Sequence, residues 1–172
     1  MKKSRFLMTF LLVFGLLLVS WRKLDGARWY TKALLACAAA TGPMIHGWVL
    51  ETPPSRRVPT WVHGDDEVQA SIQFDALAVG VVPVLALLAA TPGMRWRRRA
   101  GLMAIGAALC FAVDTAIVAL FPLLVFYKNP FTDIVGTFLG VVVFVGAPVI
   151  IWFLLTFREL QQWLPMLRPR TR

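Results

Sequence analysis

Four long apolar runs, interrupted by clusters of Lys and Arg, constrain this chain more than any other feature: Phe6–Trp21, Phe74–Thr91, Ala100–Leu120 and Ile134–Phe157. An α-helix rises about 1.5 Å per residue, so runs of this length approach or match a hydrocarbon core about 30 Å thick. Composition points the same way. The chain is 58% hydrophobic and only 16% charged, with a mean hydropathy of +0.68, where a soluble domain is about 45–50% apolar and about 25% charged. That excludes a disordered tail, a collagen-like chain and an ordinary soluble enzyme. The expected class is an all-α, polytopic membrane bundle of four or five transmembrane helices with a small external cap. A chain of 172 residues leaves no room for a second folded domain.

Phe6–Trp21 has 16 residues, about 24 Å of helix. Lys3, Arg5 and Arg22 can snorkel outward to close the remaining gap. A basic start before an apolar stretch also suits a secretory signal, but Val19-Ser20-Trp21-Arg22-Lys23 offers no small-x-small cleavage site, so an uncleaved anchor over residues 1–21 is expected. Phe74–Thr91 stops at the breaker Thr91-Pro92-Gly93. Ala100–Leu120 follows Arg95-Trp96-Arg97-Arg98-Arg99 and ends before Pro122, and Arg158 closes Ile134–Phe157. Pro83 and Pro148 lie inside runs, where neighbouring groups can satisfy the carbonyls they free.

Ala33–Leu50 is apolar enough to cross, but it is Ala-rich and interrupted by Thr41-Gly42-Pro43 and His46. Short cytoplasmic loops collect Lys and Arg, which gives a criterion. If this stretch stays outside the bilayer, eleven cations and only Glu159 face the cytoplasm, while seven cations meet seven acids outside. With Asp114 inside the membrane, that accounts for the formal net charge of +9. A crossing at Ala33–Leu50 moves the basic N-terminus outside. The charge balance therefore favours four spans with both termini cytoplasmic. The sequence pI of about 10.6 then reports orientation, and a nucleic-acid partner is not expected.

Residues 22–73 become an external cap, residues 74–157 a three-span bundle and residues 158–172 a cytoplasmic basic tail. Within the cap, Thr31–Ala40 is expected to form a helix on or in the membrane surface. Glu51–Thr60, broken by Pro53, Pro54 and Pro59, reads as an irregular loop. Val68, Ala70 and Ile72 alternate with polar residues and predict one short strand leading into the second span. In the tail, Leu160, Trp163, Leu164 and Leu167 form an interfacial face stopped by Pro165, and Arg168, Arg170 and Arg172 would meet anionic lipid.

The most informative side chain is Asp114, fourteen positions into its run. An acid at mid-helix costs about 2.5–3.5 kcal/mol on insertion scales, so a partner or a wet cavity is expected. It makes a polar contact within the bundle or to a partner's Arg, or it is a protonated acid bonded to Thr115 or a backbone carbonyl. Gly136 and Gly140 form a small-xxx-small packing pattern for a helix of this chain or another. His46 and His63, with Asp65, Asp66 and Glu67 near the second, most simply belong to a solvated loop, and no metal is expected. Cys37 and Cys110 lack zinc or redox spacing and read as packing residues. No serine sits in a nucleophile motif and no phosphate loop is present, so no catalytic residue and no cofactor are expected. The Arg95–Arg99 run is most simply a topology determinant, with lipid head-group binding as the alternative.

In its order of elements the chain resembles the exosortase/archaeosortase family, membrane enzymes that process sorting signals of exported proteins. Val68–Gln73 followed by Phe74-Asp75-Ala76-Leu77 looks like the family's extended stretch and the motif that opens a span. Thr91-Pro92-Gly93-Met94-Arg95-Trp96-Arg97-Arg98-Arg99, leading into Gly101–Gly106, is similar to its basic turn. Phe131–Gly136 looks like its approach to the last span. The family's nucleophilic Cys falls near Asp75, its Arg near Ala116 and its His near Thr132, so the thiolate and the cation that would activate it are missing. The resemblance implies a shortened, non-catalytic relative, similar to the small membrane proteins that accompany exosortase H. It would bind the sortase or its substrate helix, with Asp114, Gly136, Gly140 and Asp75 as candidate contacts, and its partners would be membrane lipid and another membrane protein. Two other classes stay open: a small transport subunit working through Asp114, and an enzyme using Asp75 or the cap histidines at the outer face.

Overall fold

A computed structural model describes residues 3–51, 59–69, 74–126, 134 and 146–163. Among these the molecule is mostly helical, with one small sheet: α1 (Lys3–Lys23), α2 (Gly26–His46), β1 (Val49–Glu51), β2 (Thr60–His63), β3 (Asp66–Gln69), α3 (Phe74–Ala90), α4 (Trp96–Phe126) and α5 (Ala147–Trp163).

The core is built around α3. Its side chains are small or β-branched, and Val81, Val82, Val84, Ala86 and Leu88 are buried around most of its circumference. It packs against all four other helices. Gly106 on α4 shows how tight this is: a Cβ there would lie 2.9 Å from Leu88 and 3.0 Å from Val84. Helix α1 instead buries a single stripe, with Phe14, Leu17, Leu18 and Trp21 packed onto the α3 cluster. Its opposite stripe, including Met8 (70% exposed), Leu12 and Leu16, faces outward. Spacing of three and four residues separates the two faces, as a 3.6-residue helix requires.

Two described helices, Arg5–Lys23 and Trp96–Leu123, are long and apolar enough to cross a membrane; Leu77–Ala90 is apolar but shorter. The α4 helix extends beyond the expected Ala100–Leu120 at both ends and runs through Pro122 without stopping. Proline removes one N–H from the helix ladder, and here its ring is fully buried. Likewise Arg158 does not close the last helix: α5 continues to Trp163, so the boundary expected between bundle and tail falls inside one helix.

The cap corrects the all-α expectation. Ala33–Leu50 is not one helix, because α2 ends at His46, Gly47 adopts a left-handed φ of 76°, and the chain turns into β1. The expected strand at Val68 is part of an antiparallel sheet of order β1-β2-β3, whose other two strands the sequence reading did not anticipate. Leu50, Trp61 and Val68 are paired across it and buried against Leu34 and Ala38 of α2, Leu77 of α3 and Val118 of α4. Trp61 can lie flat on α2 because Gly42 has no Cβ; one there would sit 2.6 Å from the indole. Strands of three or four residues are too short to leave a period-2 signature in sequence. Ala70 and Ile72, expected in the strand, and residues 52–58 of the expected loop lie outside the described residues.

The expected surface helix Thr31–Ala40 is longer than predicted and belongs to the bundle. Tyr30, near the start of α2, contacts Phe111 and Asp114. Trp48, just past its end, contacts Phe126, the last residue of α4. So α2 runs beside the second half of α4 in the same direction, and the sheet sits at the far end of both.

Candidate functional site

Helix α4 places Cys110 and Asp114 one turn apart on one buried face. Across from them, the two-residue link Leu24-Asp25, with Asp25 left-handed at φ 51°, swings the first turn of α2 against α4. Gly26 makes room here: a Cβ would lie 2.6 Å from the Trp21 ring. The Tyr30 hydroxyl donates to Asp114 Oδ2 at 2.6 Å. A hydrogen bond to a carboxylate at this length is about twice as strong as a neutral one. The Tyr30 ring is held edge-on by Phe111, with centroids 5.5 Å apart, and by Trp21 at 6.1 Å. Two aromatic rings thus hold Tyr30, whose hydroxyl meets an acid that is 7% exposed.

Of the partners weighed for Asp114, the geometry gives a contact within the molecule. Thr115 is occupied elsewhere, donating to the Phe111 carbonyl at 2.7 Å. Two buried donors at this level, Trp21 Nε1 and Thr31 Oγ1, have no partner among the described residues. The arrangement holds α2 to α4 and shields the acid. Cys110 is buried within the α3–α4–α5 packing, out of reach of a reacting group. Cys37, expected to pack, is exposed on α2.

The other end of the bundle has a second polar cluster. Thr91, 1% exposed, donates to the Leu87 carbonyl at 2.7 Å and accepts from Trp152 Nε1 at 2.9 Å. Arg99 Nη2 donates to the Thr91 carbonyl at 2.9 Å, and Arg98 pairs with Glu159 at 2.8 Å. These contacts tie the end of α3, the start of α4 and the middle of α5 together. Arg95 and Arg97 are exposed.

The remaining candidates are not brought together. Asp75 lies in the first turn of α3, but its side chain is outside the described residues, as is that of His46. Gly136 and Gly140 also lie outside them. His63 is exposed on β2, with Nδ1 3.3 Å from the Gly47 carbonyl and its ring tilted against Trp48. Among the described residues no three His, Cys, Asp or Glu side chains group as metal ligands would.

Sequence reasoning missed Tyr30 and the pairing of Glu159. One signal for Glu159 was present: it is the lone acid among the cations assigned to the cytoplasmic side. For Tyr30 there was none, since its partner is 84 residues away. Comparison with protein-family models, curated proteins and solved structures finds no match for this chain.

Proposed function

We propose that this chain is a multi-pass inner-membrane accessory protein, non-catalytic, with both termini cytoplasmic and the α2–sheet cap outside. It crosses the bilayer four times, through α1, α3, α4 and a last span ending in α5. The observation behind the membrane reading is the surface itself. Leu12 and Leu16 on α1, Ile105 and Leu109 on α4, and Ile150 and Leu154 on α5 are exposed, while α3 is buried among these helices. A soluble monomer rarely exposes apolar patches above a few hundred Å², whereas lipid-facing helices require them.

Charged and aromatic side chains bound this belt. At one end stand Arg95, Trp96 and Arg97; at the other stand Arg22, Lys23, Arg28, Trp29 and Lys32, with the Lys32 ammonium 5.4 Å from the Trp29 ring. Trp, Lys and Arg gather at membrane interfaces in this way. Between Arg5 and Lys23, α1 covers about 27 Å, close to a hydrocarbon core. The Tyr30–Asp114 pair is level with the outer boundary.

As for its partner, we read the chain as an accessory of an exosortase-type sorting system, binding the sortase or its substrate helix. The support is the order of elements: an anchor helix, a second helix, a strand leading into α3, a basic turn, then a long span. Because Asp114 is engaged by Tyr30, the partner surface in this reading is the outer face of α2 and the sheet. Co-purification from native membranes in mild detergent tests it. Recovery of a sortase or a sorting-signal protein is the expected outcome; reproducible recovery of neither would reject the partner assignment.

A further inference from the structure

The run Arg95-Trp96-Arg97-Arg98-Arg99 is more specific than a topology signal requires, because any excess of Lys or Arg sets orientation. The fold divides it in two. Arg98, itself half exposed, pairs with Glu159, and Arg99 donates to the Thr91 carbonyl. Arg95 and Arg97 are exposed, and their side chains make no hydrogen bond or ion pair among the described residues; Trp96 between them is 74% exposed. These three are held in place. Gly93 turns the chain at φ 75°, Met94 is buried beneath the turn, and the Arg99 amide bonds the Arg95 carbonyl at 2.9 Å, starting α4 directly after Arg95. The first turn of α4 holds no acidic side chain, so the positive end of a 31-residue helix lies uncompensated beside two free guanidinium groups.

We infer that Arg95, Trp96 and Arg97 form a binding site for the phosphate of an anionic phospholipid in the leaflet facing the α3–α4 turn. A planar guanidinium can grip phosphate oxygens in pairs, which a lysine cannot. The exposed indole places the site at head-group depth, where Trp collects. Among the described residues, the acid paired in this cluster is Glu159, and its carboxylate is held by Arg98. This inference rests on the membrane reading above.

The test uses the full chain reconstituted in phosphatidylcholine vesicles carrying either brominated phosphatidylglycerol or brominated phosphatidylcholine. The Trp96 signal is taken as the difference between the wild type and Trp96→Phe. Brominated phosphatidylglycerol should quench Trp96 more at equal mole fraction, with an association preference on the order of five-fold for each arginine. Arg95→Gln with Arg97→Gln should abolish the preference. Arg95→Lys with Arg97→Lys, which keeps the charge and so the orientation, should keep only part of it. Inorganic phosphate at matched ionic strength should leave the preference in place. Equal quenching by both lipids would overturn the site while leaving the membrane reading intact, and quenching by neither would reject that reading itself. A preference that survives in the glutamine pair, or that phosphate displaces, would also overturn the proposal.

Discussion

Tyr30 and Asp114 share one short hydrogen bond between two helices, and each depends on the other. Tyr30→Phe removes the donor and leaves a buried carboxylate facing aromatic rings. Loss of one partner of such a bond costs about 1–3 kcal/mol. The expected result is a lower unfolding midpoint in detergent, with α2 released first as read by proteolysis. Asp114→Asn keeps an acceptor for the phenol and should cost much less. Equal destabilisation by the two changes would show that the hydroxyl is not what holds α2 in place. At the same scale, Cys37 and Cys110 provide a test that needs no mutation. A membrane-impermeant maleimide added to intact cells should label exposed Cys37 and spare buried Cys110; labelling only after lysis would put α2 on the cytoplasmic side.

Among the elements, legibility followed locality. The cores of α1, α3 and α4 were readable because a run of apolar residues and its flanking charges determine a helix without help from elsewhere. Their ends were not: Pro122 looked like a terminator, yet α4 encloses it. Only the strand at Val68 was legible in the sheet; β1 and β2 were not, because such short strands depend on Trp61 packing against α2, a contact no local pattern encodes. That dependence yields a prediction. Gly42→Ala inserts a Cβ 2.6 Å from Trp61 and should destabilise the cap by about 1–3 kcal/mol, the range for overpacking. Near-ultraviolet circular dichroism should record the lost tryptophan packing while helix content stays constant. In the candidate site, Asp114 was legible as a lone acid in an apolar run, whereas its partner was not, because side chains 84 positions apart meet only through the fold.

For the whole molecule, the arrangement is a bundle tied at one end by Thr91, Arg98, Trp152 and Glu159 and, midway along α4, by the Tyr30–Asp114 pair. Spin labels replacing Leu12, Ile105 and Leu154 should favour oxygen over a water-soluble nickel reagent, and one replacing Asp66 on the sheet the reverse. Nickel accessibility at all four would mean that the exposed apolar belt faces water rather than lipid. Glu159→Gln should weaken the hold of α5 on α4, lowering thermal stability in a way that high salt, screening the partly exposed Arg98, reproduces in part in the wild type.

The packing of α2 and the sheet on Leu77 and Val118 also sets an order of events during synthesis. The residues of the cap leave the ribosome before α3 and α4, yet part of the apolar surface they need, at Leu77 and Val118, belongs to those later helices. At about 5–20 residues per second, the strands wait several seconds before the end of α4 is available. Until then Trp48 lacks Phe126 and the Tyr30 hydroxyl lacks Asp114. A folded cap is therefore a record that α3 and α4 have been made, and a chain stalled before Val118 should present these aromatic residues to quality-control proteases.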